Sequence, residues 1–463
     1  MRFKRRHTTF FCLGLLCLLL WSILGQTVSA APRLQDTGDK LVIVIDPGHG
    51  GENEGTIEGE YPEKIMTLIS AQAMYDELIL FDNVEVYMTR TNDIDMSLKE
   101  RAEFAKNVDA DFLFSIHYNA SANHTLFGSE VWVSSQPPYN AYGYQFGYQQ
   151  MLEMQDMGLF LRGIKTKLND KGTDYYGILR ESSALSVPAV IIEHCHVDEE
   201  RDIPFCKTEE DWIAFGQADA RAVAKYFGLS SASLGIDYSE EANFLPEADE
   251  NSRVQLTARD ETEPDVCLIE LLSADYDTGD VQIQVTAADY DSPLIYYDYS
   301  IDGGVTYCPL TPWPNTDVLE GTYTDTFTLQ LQIESGIQPE IIVRAYNLAD
   351  LDTESNLLPF LQAFYYGEEE TVTETEEDNN TQTSVERERH SAGTTTFMPA
   401  NADTDEVAQD GEVSILTFLK ICLIFVVILF GIVLTYQAIV YNKRKKRRRQ
   451  RMKDLGNNRN HPR

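Results

Sequence analysis

The pattern of apolar and polar residues divides the chain into regions of different periodicity. Between residues 40 and 229, short apolar runs such as Leu41–Asp46 alternate with stretches of helical spacing. A continuous apolar run is typical of a strand buried in a parallel sheet, and spacings of i, i+3 and i+4 indicate a helix with one buried face. The alternation predicts an α/β domain at 39–230, with a mostly parallel twisted sheet and helices on both faces.

Individual elements of this domain can be placed along the chain. Strands are predicted at 41–46, 84–89, 111–116, 131–133 and 188–192. Helical spacing relates Ile65, Leu68, Ile69 and Ala73, and a helix from Trp212 to Phe227 should end at Gly228. A further helix is predicted to begin at the capping box Ser97-Leu-Lys-Glu100, in which the two side chains satisfy each other's backbone N–H groups.

Residues 264–366 show strand periodicity alone. Polar and apolar positions alternate with period two at 280–286, 326–332 and 340–345. Short alternating strands separated by turns predict a β-sandwich. The segments Tyr299-Ser-Ile-Asp-Gly-Gly304 and Val343-Arg-Ala-Tyr346 resemble immunoglobulin-like or fibronectin-like bacterial modules. The expected role is that of a spacer, with glycan binding as the alternative. An acidic linker is predicted at 231–263 and an acidic disordered tether at 367–413.

The two ends of the chain predict its topology. Residues 1–30 carry basic residues, a short apolar centre and Val28-Ser-Ala30, as a cleaved secretory signal does, although an uncleaved anchor is the alternative. Residues 414–441 contain an apolar run long enough for one transmembrane helix, and the basic tail 442–463 follows at once. We therefore expect a single-pass protein of the cell membrane, with its domains outside the cell facing the wall and a short cytoplasmic tail.

The charge distribution restricts the partners. Residues 31–413 contain 21 Lys/Arg and 73 Asp/Glu, a net charge of −52, whereas the tail holds eleven Lys/Arg and one acid. So acidic a surface repels phosphate backbones, which argues against nucleic-acid binding, while the tail is expected to lie on anionic lipid. Only four cysteines lie between the predicted signal and membrane segments, so no disulfide scaffold is expected; spacing permits Cys195–Cys206 and Cys267–Cys308.

One group of residues in the α/β domain could carry chemistry. His49, His117 and Glu193 each follow or end a predicted strand, and the carboxyl ends of parallel strands form the binding crevice of such sheets. Two imidazoles and a carboxylate leave an open coordination position, the pattern of a catalytic zinc site, and a further carboxylate could act as a base. Glu63, in the first turn of a helix, is the best-positioned candidate for the fourth residue among Glu52, Glu54, Glu58, Glu60 and Glu63.

Other interpretations of these residues remain open at this level. A histidine after a strand is often an ordinary loop residue, and Glu193 could be an ordinary acid at a strand end. His194 and His196 form a second plausible metal pair. Strand alternation argues that they cannot both join Glu193 on one side of the crevice.

The chain resembles the zinc-dependent N-acetylmuramoyl-L-alanine amidases of the amidase 3 type, bacterial cell-wall hydrolases. The motifs that carry this resemblance occur in order over about 190 residues: Ile45-Asp-Pro-Gly-His-Gly-Gly51, Glu63 opening a helix, Met88-Thr-Arg90, Leu98-Lys-Glu-Arg101, Ser115-Ile-His-Tyr-Asn119, Arg162-Gly-Ile-Lys165 and Pro188-Ala-Val-Ile-Ile-Glu193. The resemblance implies Zn²⁺ held by His49, Glu63 and His117, and Glu193 as the catalytic acid/base. It also implies peptidoglycan as substrate, cut between N-acetylmuramic acid and L-alanine.

Two other functions compete with this interpretation. A non-catalytic membrane receptor could keep the fold only to bind peptidoglycan, and a zinc peptidase could act on stem peptides instead. A receptor has no need of both a metal set and a base, and the motif set disfavours a peptidase. Arg90 and Arg101 are expected to pair with nearby acids rather than to contact the stem peptide. The sequence identifies no activating protein partner.

Overall fold

The computed structural model describes residues 40–58, 61–241 and 260–367, which all lie in one compact unit that extends to Val372. The predicted signal peptide (1–30), transmembrane helix (414–441) and basic tail (442–463) lie outside these residues, as do all but the first residue of the predicted tether and residues 242–259 of the predicted linker. Within the described ranges, no helix is both long and apolar enough to cross a membrane.

The first domain alternates strands and helices. Its strands are β1 (Leu41–Pro47), β2 (Val84–Met88), β3 (Phe112–Asn119), β4 (Ser129–Val133), β5 (Leu161–Lys165) and β6 (Ala189–His196), and a small hairpin follows with β7 (Ser230–Ser231) and β8 (Ile236–Asp237). Its helices are α1 (Glu63–Leu78), α2 (Leu98–Asn107), α3 (Tyr139–Asp156), α4 (Gly177–Ala184) and α5 (Glu209–Phe227). The predicted capping box of α2 is present, and α5 ends at Gly228 in the left-handed conformation.

The six large strands form one mixed sheet in the order β2-β1-β3-β6-β4-β5. Strands β2, β1, β3 and β6 are parallel, but β4 runs antiparallel to β6, and β5 is parallel to β4. The sheet is therefore mostly parallel, as expected, and its one antiparallel pairing is that between β6 and β4. No helix connects β3 to β4, and a parallel connection needs such a crossover.

Helix α1 forms where its spacing predicts, but it buries a different face. Met66, Ser70 and Met74 are buried, whereas Ile65, which the apolar spacing assigned to the core, has 40% of its surface exposed. The reason is that α1 packs closely on α5 as well as on the sheet, so small and polar residues occupy part of its contact. At this crossing, a Cβ added to Gly216 would lie 2.1 Å from the carbonyl oxygen of Ser70.

The second domain consists of strands only. They are β9 (Val266–Ala274), β10 (Asp280–Ala288), β11 (Leu294–Ser300), β12 (Thr311–Pro312), β13 (Thr324–Gln332), β14 (Glu340–Asn347), β15 (Asp352–Glu354) and β16 (Leu358–Pro359). One antiparallel sheet has the order β13-β10-β9 and the other β12-β11-β14-β15. Alternate residues of both sheets, including Ile283 and Val343, form one core around Trp313. The four cysteines outside the predicted signal and membrane segments are free thiols.

Candidate metal centre

Three of the predicted site residues meet at one edge of the sheet. His49 follows β1, His117 lies near the end of β3, and Glu63 is the first residue of α1. His49 Nε2 is 3.1 Å from Glu63 Oε2, and His117 Nδ1 is 3.0 Å from Glu63 Oε1. One ligand atom from each residue lies within 4.8 Å of the others. Two imidazoles and a carboxylate thus converge on a space of the size that one metal ion fills.

The hydrogen bonds around His49 leave one of its ring nitrogens facing Glu63. Asn53 Oδ1 accepts a hydrogen bond from the backbone N–H of Gly55 at 3.2 Å, which identifies this amide atom as the oxygen. The same oxygen lies 2.9 Å from His49 Nδ1, so Nδ1 carries the proton and donates a hydrogen bond to Asn53 Oδ1. Since a carboxylate can only accept, a cation or a second proton must lie between His49 Nε2 and Glu63. An outer partner that orients a histidine in this way is typical of metal sites.

Two buried arginines hold the loop that carries His49. This histidine has a φ of 62°, a left-handed conformation that non-glycine residues seldom adopt. Arg90 donates to the carbonyl oxygens of Pro47 (3.0 Å) and Gly48 (2.8 Å), and Arg101 donates to those of Pro47 and His49 (both 2.6 Å). Arg101 also pairs with the buried carboxylate of Asp46 at 2.7 Å. Arg101 therefore pairs with an acid, as expected, whereas the hydrogen bonds of Arg90 go to backbone carbonyl oxygens and the Thr67 hydroxyl.

The loop also needs glycine where it passes the second histidine. A Cβ on Gly48 would lie 2.3 Å from His117 Cε1, closer than real Cβ atoms come to a neighbour. The absence of a side chain at Gly48 therefore allows the His117 ring to reach Glu63.

Glu63 is buried and ionised. Burial raises the pKa of this carboxyl, but hydrogen bonds and charge interactions with His117 and His49 outweigh burial and hold the pKa well below its usual range. Its oxygens also accept from the backbone N–H groups of Thr56 (2.9 Å) and Tyr118 (3.1 Å). For His49, burial lowers the pKa, yet the Glu63 carboxylate brings about a net rise. A negative charge thus lies at the centre of the cluster, where it would favour a cation.

Glu193 lies beside this cluster on the same face of the sheet. It is the register partner of His117 across β3 and β6, and Glu130 is its partner across β6 and β4. Burial raises the pKa of Glu193 well above its usual value, and the carboxylates of Glu63 and Glu130 raise it further. Among the described residues, none is seen to donate a hydrogen bond to its carboxylate. The group is therefore free to exchange a proton with a water or a substrate.

The other candidates lie elsewhere. His194 is fully buried, stacks on Phe215 and lies 2.9 Å from Asp219 Oδ2. His196 is buried against the carbonyl oxygen of Gly128, so neither histidine belongs to the cluster. Of the acids considered for the fourth position, the structure leaves Glu52, Glu54 and Glu58 exposed, and Glu60 lies outside the described residues.

Two contributors were not predicted from the sequence. Asn53 follows His49 by four residues, and such a partner could have been found by looking for an acceptor near a predicted ligand. Glu130 lies on β4, and its partners Arg162 and Lys165 lie on β5, a strand that the pattern did not indicate. Because β5 follows a helix that was also missed, no local signal linked these residues to Glu193.

Comparison with known proteins identifies the family. The family model described as N-acetylmuramoyl-L-alanine amidase matches residues 43–225. A sporulation-specific N-acetylmuramoyl-L-alanine amidase of Bacillus subtilis is 30% identical over 194 residues, which cover 41% of this chain and 70% of that protein. The chain belongs to this amidase family.

A second relative and a solved structure cover the same region of the amidase. The N-acetylmuramoyl-L-alanine amidase CwlM of Bacillus licheniformis is 28% identical over 211 residues, 45% of this chain and 78% of that protein. The catalytic domain of CwlV from Bacillus (Paenibacillus) polymyxa var. colistinus is 26% identical, with a TM-score of 0.35, and the match covers 40% of this chain and 97% of that one. The protein is thus an N-acetylmuramoyl-L-alanine amidase, a hydrolase of cell-wall peptidoglycan.

Proposed function

We propose that this amidase is zinc-dependent, with His49, Glu63 and His117 as ligands and Glu193 as the general acid/base. The observation that carries the proposal is the convergence of two imidazoles on one buried carboxylate, within 4.8 Å of one another. The donor set fits Zn²⁺, which accepts nitrogen and carboxylate ligands and keeps a position open in catalytic sites. Harder ions such as Mg²⁺ and Ca²⁺ prefer oxygen ligands alone.

The proposed substrate is the amide bond between N-acetylmuramic acid and the L-alanine of the stem peptide. When bound, zinc supplies Lewis-acid activation of water and of the amide carbonyl. Glu193 accepts the proton of the attacking water and then delivers it to the departing nitrogen of L-alanine. An amide nitrogen is a very poor leaving group unless it is protonated, so one carboxylate has to act first as base and then as acid. The raised pKa of Glu193 suits a group that must carry that proton between the two steps.

The proposal separates the roles of two glutamates, and a pair of variants tests it. Glu193→Gln keeps the side-chain shape but cannot accept the proton, so turnover of muropeptides should fall about 100-fold or more while zinc content stays near one per chain. Glu63→Gln should instead lose zinc, because a neutral amide is a poorer ligand than a carboxylate. Mass spectrometry of the released stem peptides measures turnover, and elemental analysis measures zinc.

His49→Ala and His117→Ala serve as controls for the metal, since each removes one of the three proposed ligands and should lose zinc. Full zinc content in both variants would contradict the ligand assignment. If Glu193→Gln loses zinc while Glu63→Gln keeps it and only slows, the two glutamates have exchanged roles. A product set without free stem peptides beginning with L-alanine would favour a peptidase or a binding protein.

We further propose a single-pass membrane location with the amidase facing the cell wall. It is supported by the apolar run within 414–441 and the cluster of cations that follows it. In the same proposal, the strands of residues 264–366 form an immunoglobulin-like or fibronectin-like module. Protease added to intact cells should remove an epitope placed before Ile421 and spare a tag after Arg463. Loss of the C-terminal tag under the same treatment would reverse the orientation.

A further inference from the structure

The β domain is in direct contact with the amidase domain. Phe127 and Phe160 of the amidase domain pack with Tyr296 and Leu348 of the β domain in one apolar cluster. The Tyr296 hydroxyl donates to the carbonyl oxygen of Phe127 at 2.5 Å. A Cβ on Gly163, whose φ is +87°, would lie 2.7 Å from Leu348 Cδ1. The β domain is thus packed onto the backbone of β5 at the edge of the catalytic sheet.

A buried ionic cluster crosses this contact. Arg162 and Lys165 of β5 are both buried, and each lies 2.9 Å from Glu130 Oε2. Arg162 Nη2 also donates to Asp350 Oδ2 of the β domain at 2.7 Å, and Lys165 Nζ lies 3.5 Å from the same oxygen. The cluster therefore contains two cations and two carboxylates, one of which comes from the other domain, 188 residues from Arg162.

Glu130 connects this cluster to the catalytic face. It is the register partner of Glu193, and side chains at paired positions of neighbouring strands point to the same face, about 5 Å apart. Its other oxygen, Oε1, accepts from Asn119 Nδ2 (2.8 Å) and from Trp132 Nε1 (3.0 Å). Both oxygens of Glu130 are thus engaged. A continuous row of paired positions runs across β3, β6 and β4, from His117 through Glu193 to Glu130, and the ionic cluster lies at its end.

Asp350 is held in place by the turn between β14 and β15. Its φ is 60°, a left-handed conformation that aspartate tolerates better than most residues. The side chain of Asn347 accepts from the backbone N–H groups of Ala349 and Leu351 at 3.0 Å each. The backbone N–H of Leu348 donates to the carbonyl oxygen of Pro293. The turn therefore presents the Asp350 carboxylate to β5 in a fixed geometry.

We propose that Asp350 is a positioning residue of the amidase, through which the β domain completes the catalytic face by balancing the charge of Arg162 and Lys165 and so fixing Glu130 beside Glu193. The proposal rests on the role proposed for Glu193. Without Asp350, two buried cations would face one carboxylate, and an unbalanced buried charge draws in water or displaces its neighbours. Glu130 would then lose its fixed orientation. The β domain is thus part of the catalytic unit rather than only a spacer.

The test uses the full-length, zinc-loaded protein and a soluble muropeptide. Asp350→Asn removes the charge and keeps the shape of a side chain that is one-third exposed, so no large cavity forms. We expect kcat to fall about tenfold, as for other outer partners of catalytic groups, with KM within about twofold and zinc content unchanged. Asp350→Glu should recover part of the lost kcat, because it restores the negative charge.

The matched control is Asp298→Asn. Asp298 is buried and pairs with Arg344, and the hydrogen bonds and ion pair of these two residues stay within the β domain in the described part of the chain. This variant should lower thermal stability and leave kcat within about twofold of the wild-type value. If it slows kcat as much as Asp350→Asn does, general loosening of the β domain explains both effects and the proposal is wrong.

A compensating double variant tests the charge argument directly. Lys165→Met combined with Asp350→Asn leaves Arg162 paired with Glu130 and restores neutrality, so its kcat should exceed that of Lys165→Met alone. If Asp350→Asn does not fold, this comparison decides the question. A double variant no faster than Lys165→Met, or an Asp350→Asn protein with wild-type kcat, would overturn the proposal. If Glu193→Gln itself turned over normally, the proposed role of Glu193 would fail first, and that result is distinguishable from either outcome.

Discussion

The pair of Arg101 and Asp46 supports the loop that carries His49, and Arg101→Met should show how much. The guanidinium Nη1 lies 2.7 Å from Asp46 Oδ1, with side chains only 3% and 1% exposed. Removing one partner of a buried pair costs about 3–5 kcal/mol, because the remaining charge stays desolvated. Asp46 keeps hydrogen bonds from Thr89 and Ser115, which favours the lower end of this range, about 3 kcal/mol. The lost bonds to the carbonyl oxygens of Pro47 and His49 add about 1 kcal/mol each.

We therefore expect Arg101→Met to lower the free energy of unfolding by about 5 kcal/mol, a large part of the 5–15 kcal/mol of an ordinary domain. Urea unfolding of the chelator-treated protein, followed by circular dichroism, measures this change without a contribution from metal. The free energy of unfolding of Arg101→Lys should lie between those of the wild type and Arg101→Met. One ammonium group restores the charge, but it cannot reproduce a guanidinium that reaches two carbonyl oxygens and a carboxylate.

The control lies on the same helix. Lys99 pairs with Glu103 at 3.5 Å, and its side chain is 70% exposed, so Lys99→Met should cost less than about 0.5 kcal/mol. If Arg101→Met unfolds at the same urea concentration as Lys99→Met, the buried pair does not support the loop and our account of how His49 is held is incorrect.

Three further changes test other parts of the structure. Gly48→Ala would bring a methyl group to 2.3 Å from His117 Cε1, so zinc affinity, measured by competition with a chelator, should fall at least about tenfold. His194→Gln should cost about 1–3 kcal/mol, because the buried carboxylate of Asp219 then loses its contact with the imidazole and keeps the hydrogen bond from Gln150, yet the variant should keep one zinc per chain by elemental analysis. Burial and a second buried carboxylate raise the pKa of Asp289 to about 6, so Asp289→Asn should stabilise the protein by about 1–3 kcal/mol at pH 7.5 and by almost nothing at pH 4 in thermal unfolding.

The pH dependence expected for Asp289→Asn follows from the pKa of the Asp289 carboxyl in the folded and the unfolded protein. The pKa of Asp289 in the folded protein, about 6, exceeds the value of about 3.9 in an unfolded chain. Its ionised form therefore costs folded-state stability above pH 6, and this cost disappears as the pH falls below 4. A stabilisation independent of pH would contradict this explanation. For Gly48→Ala, the control is Gly172→Ala: a Cβ there meets nothing within 4 Å, and although the φ of +74° strains the substituted residue, zinc affinity should stay at the wild-type value.

The parts of the fold that the sequence predicts are those with simple hydrophobic patterns. Strands β1, β3 and β6 begin with runs of buried apolar residues, and the alternating strands β10, β13 and β14 lie where period two indicates. Helix α3 was not predicted, because glycine and glutamine occupy much of its buried face and leave no apolar periodicity. Strand β5 was not predicted, because two of its buried residues, Arg162 and Lys165, are charged. Their partners lie on distant parts of the chain, so a short stretch of sequence does not reveal why they are buried.

In the candidate site too, local sequence motifs predict some residues, whereas the role of others depends on contacts between distant parts of the chain. The motifs around His49, Glu63 and His117 made these residues candidates, and the structure brings them together; that they bind zinc stays a prediction. The sequence could not exclude His194 as a rival ligand, because the result depends on its contact with Asp219 across the domain. Likewise, the importance of Glu130 becomes visible only when β4 is found beside β6 rather than beside β3.

The distance along the chain between Arg162 and Asp350 has a consequence for biosynthesis. A ribosome makes the chain from its N-terminus, so all the proposed ligands and Glu193 are complete long before Asp350 is added. Until then, the nascent amidase domain has an unbalanced cation on β5 and an uncovered apolar surface around Phe127. A product that terminates between the two domains would be released in that state, exposed to aggregation and proteolysis. With the role proposed for Asp350, the amidase becomes fully active only after the second domain has been made and has packed onto β5.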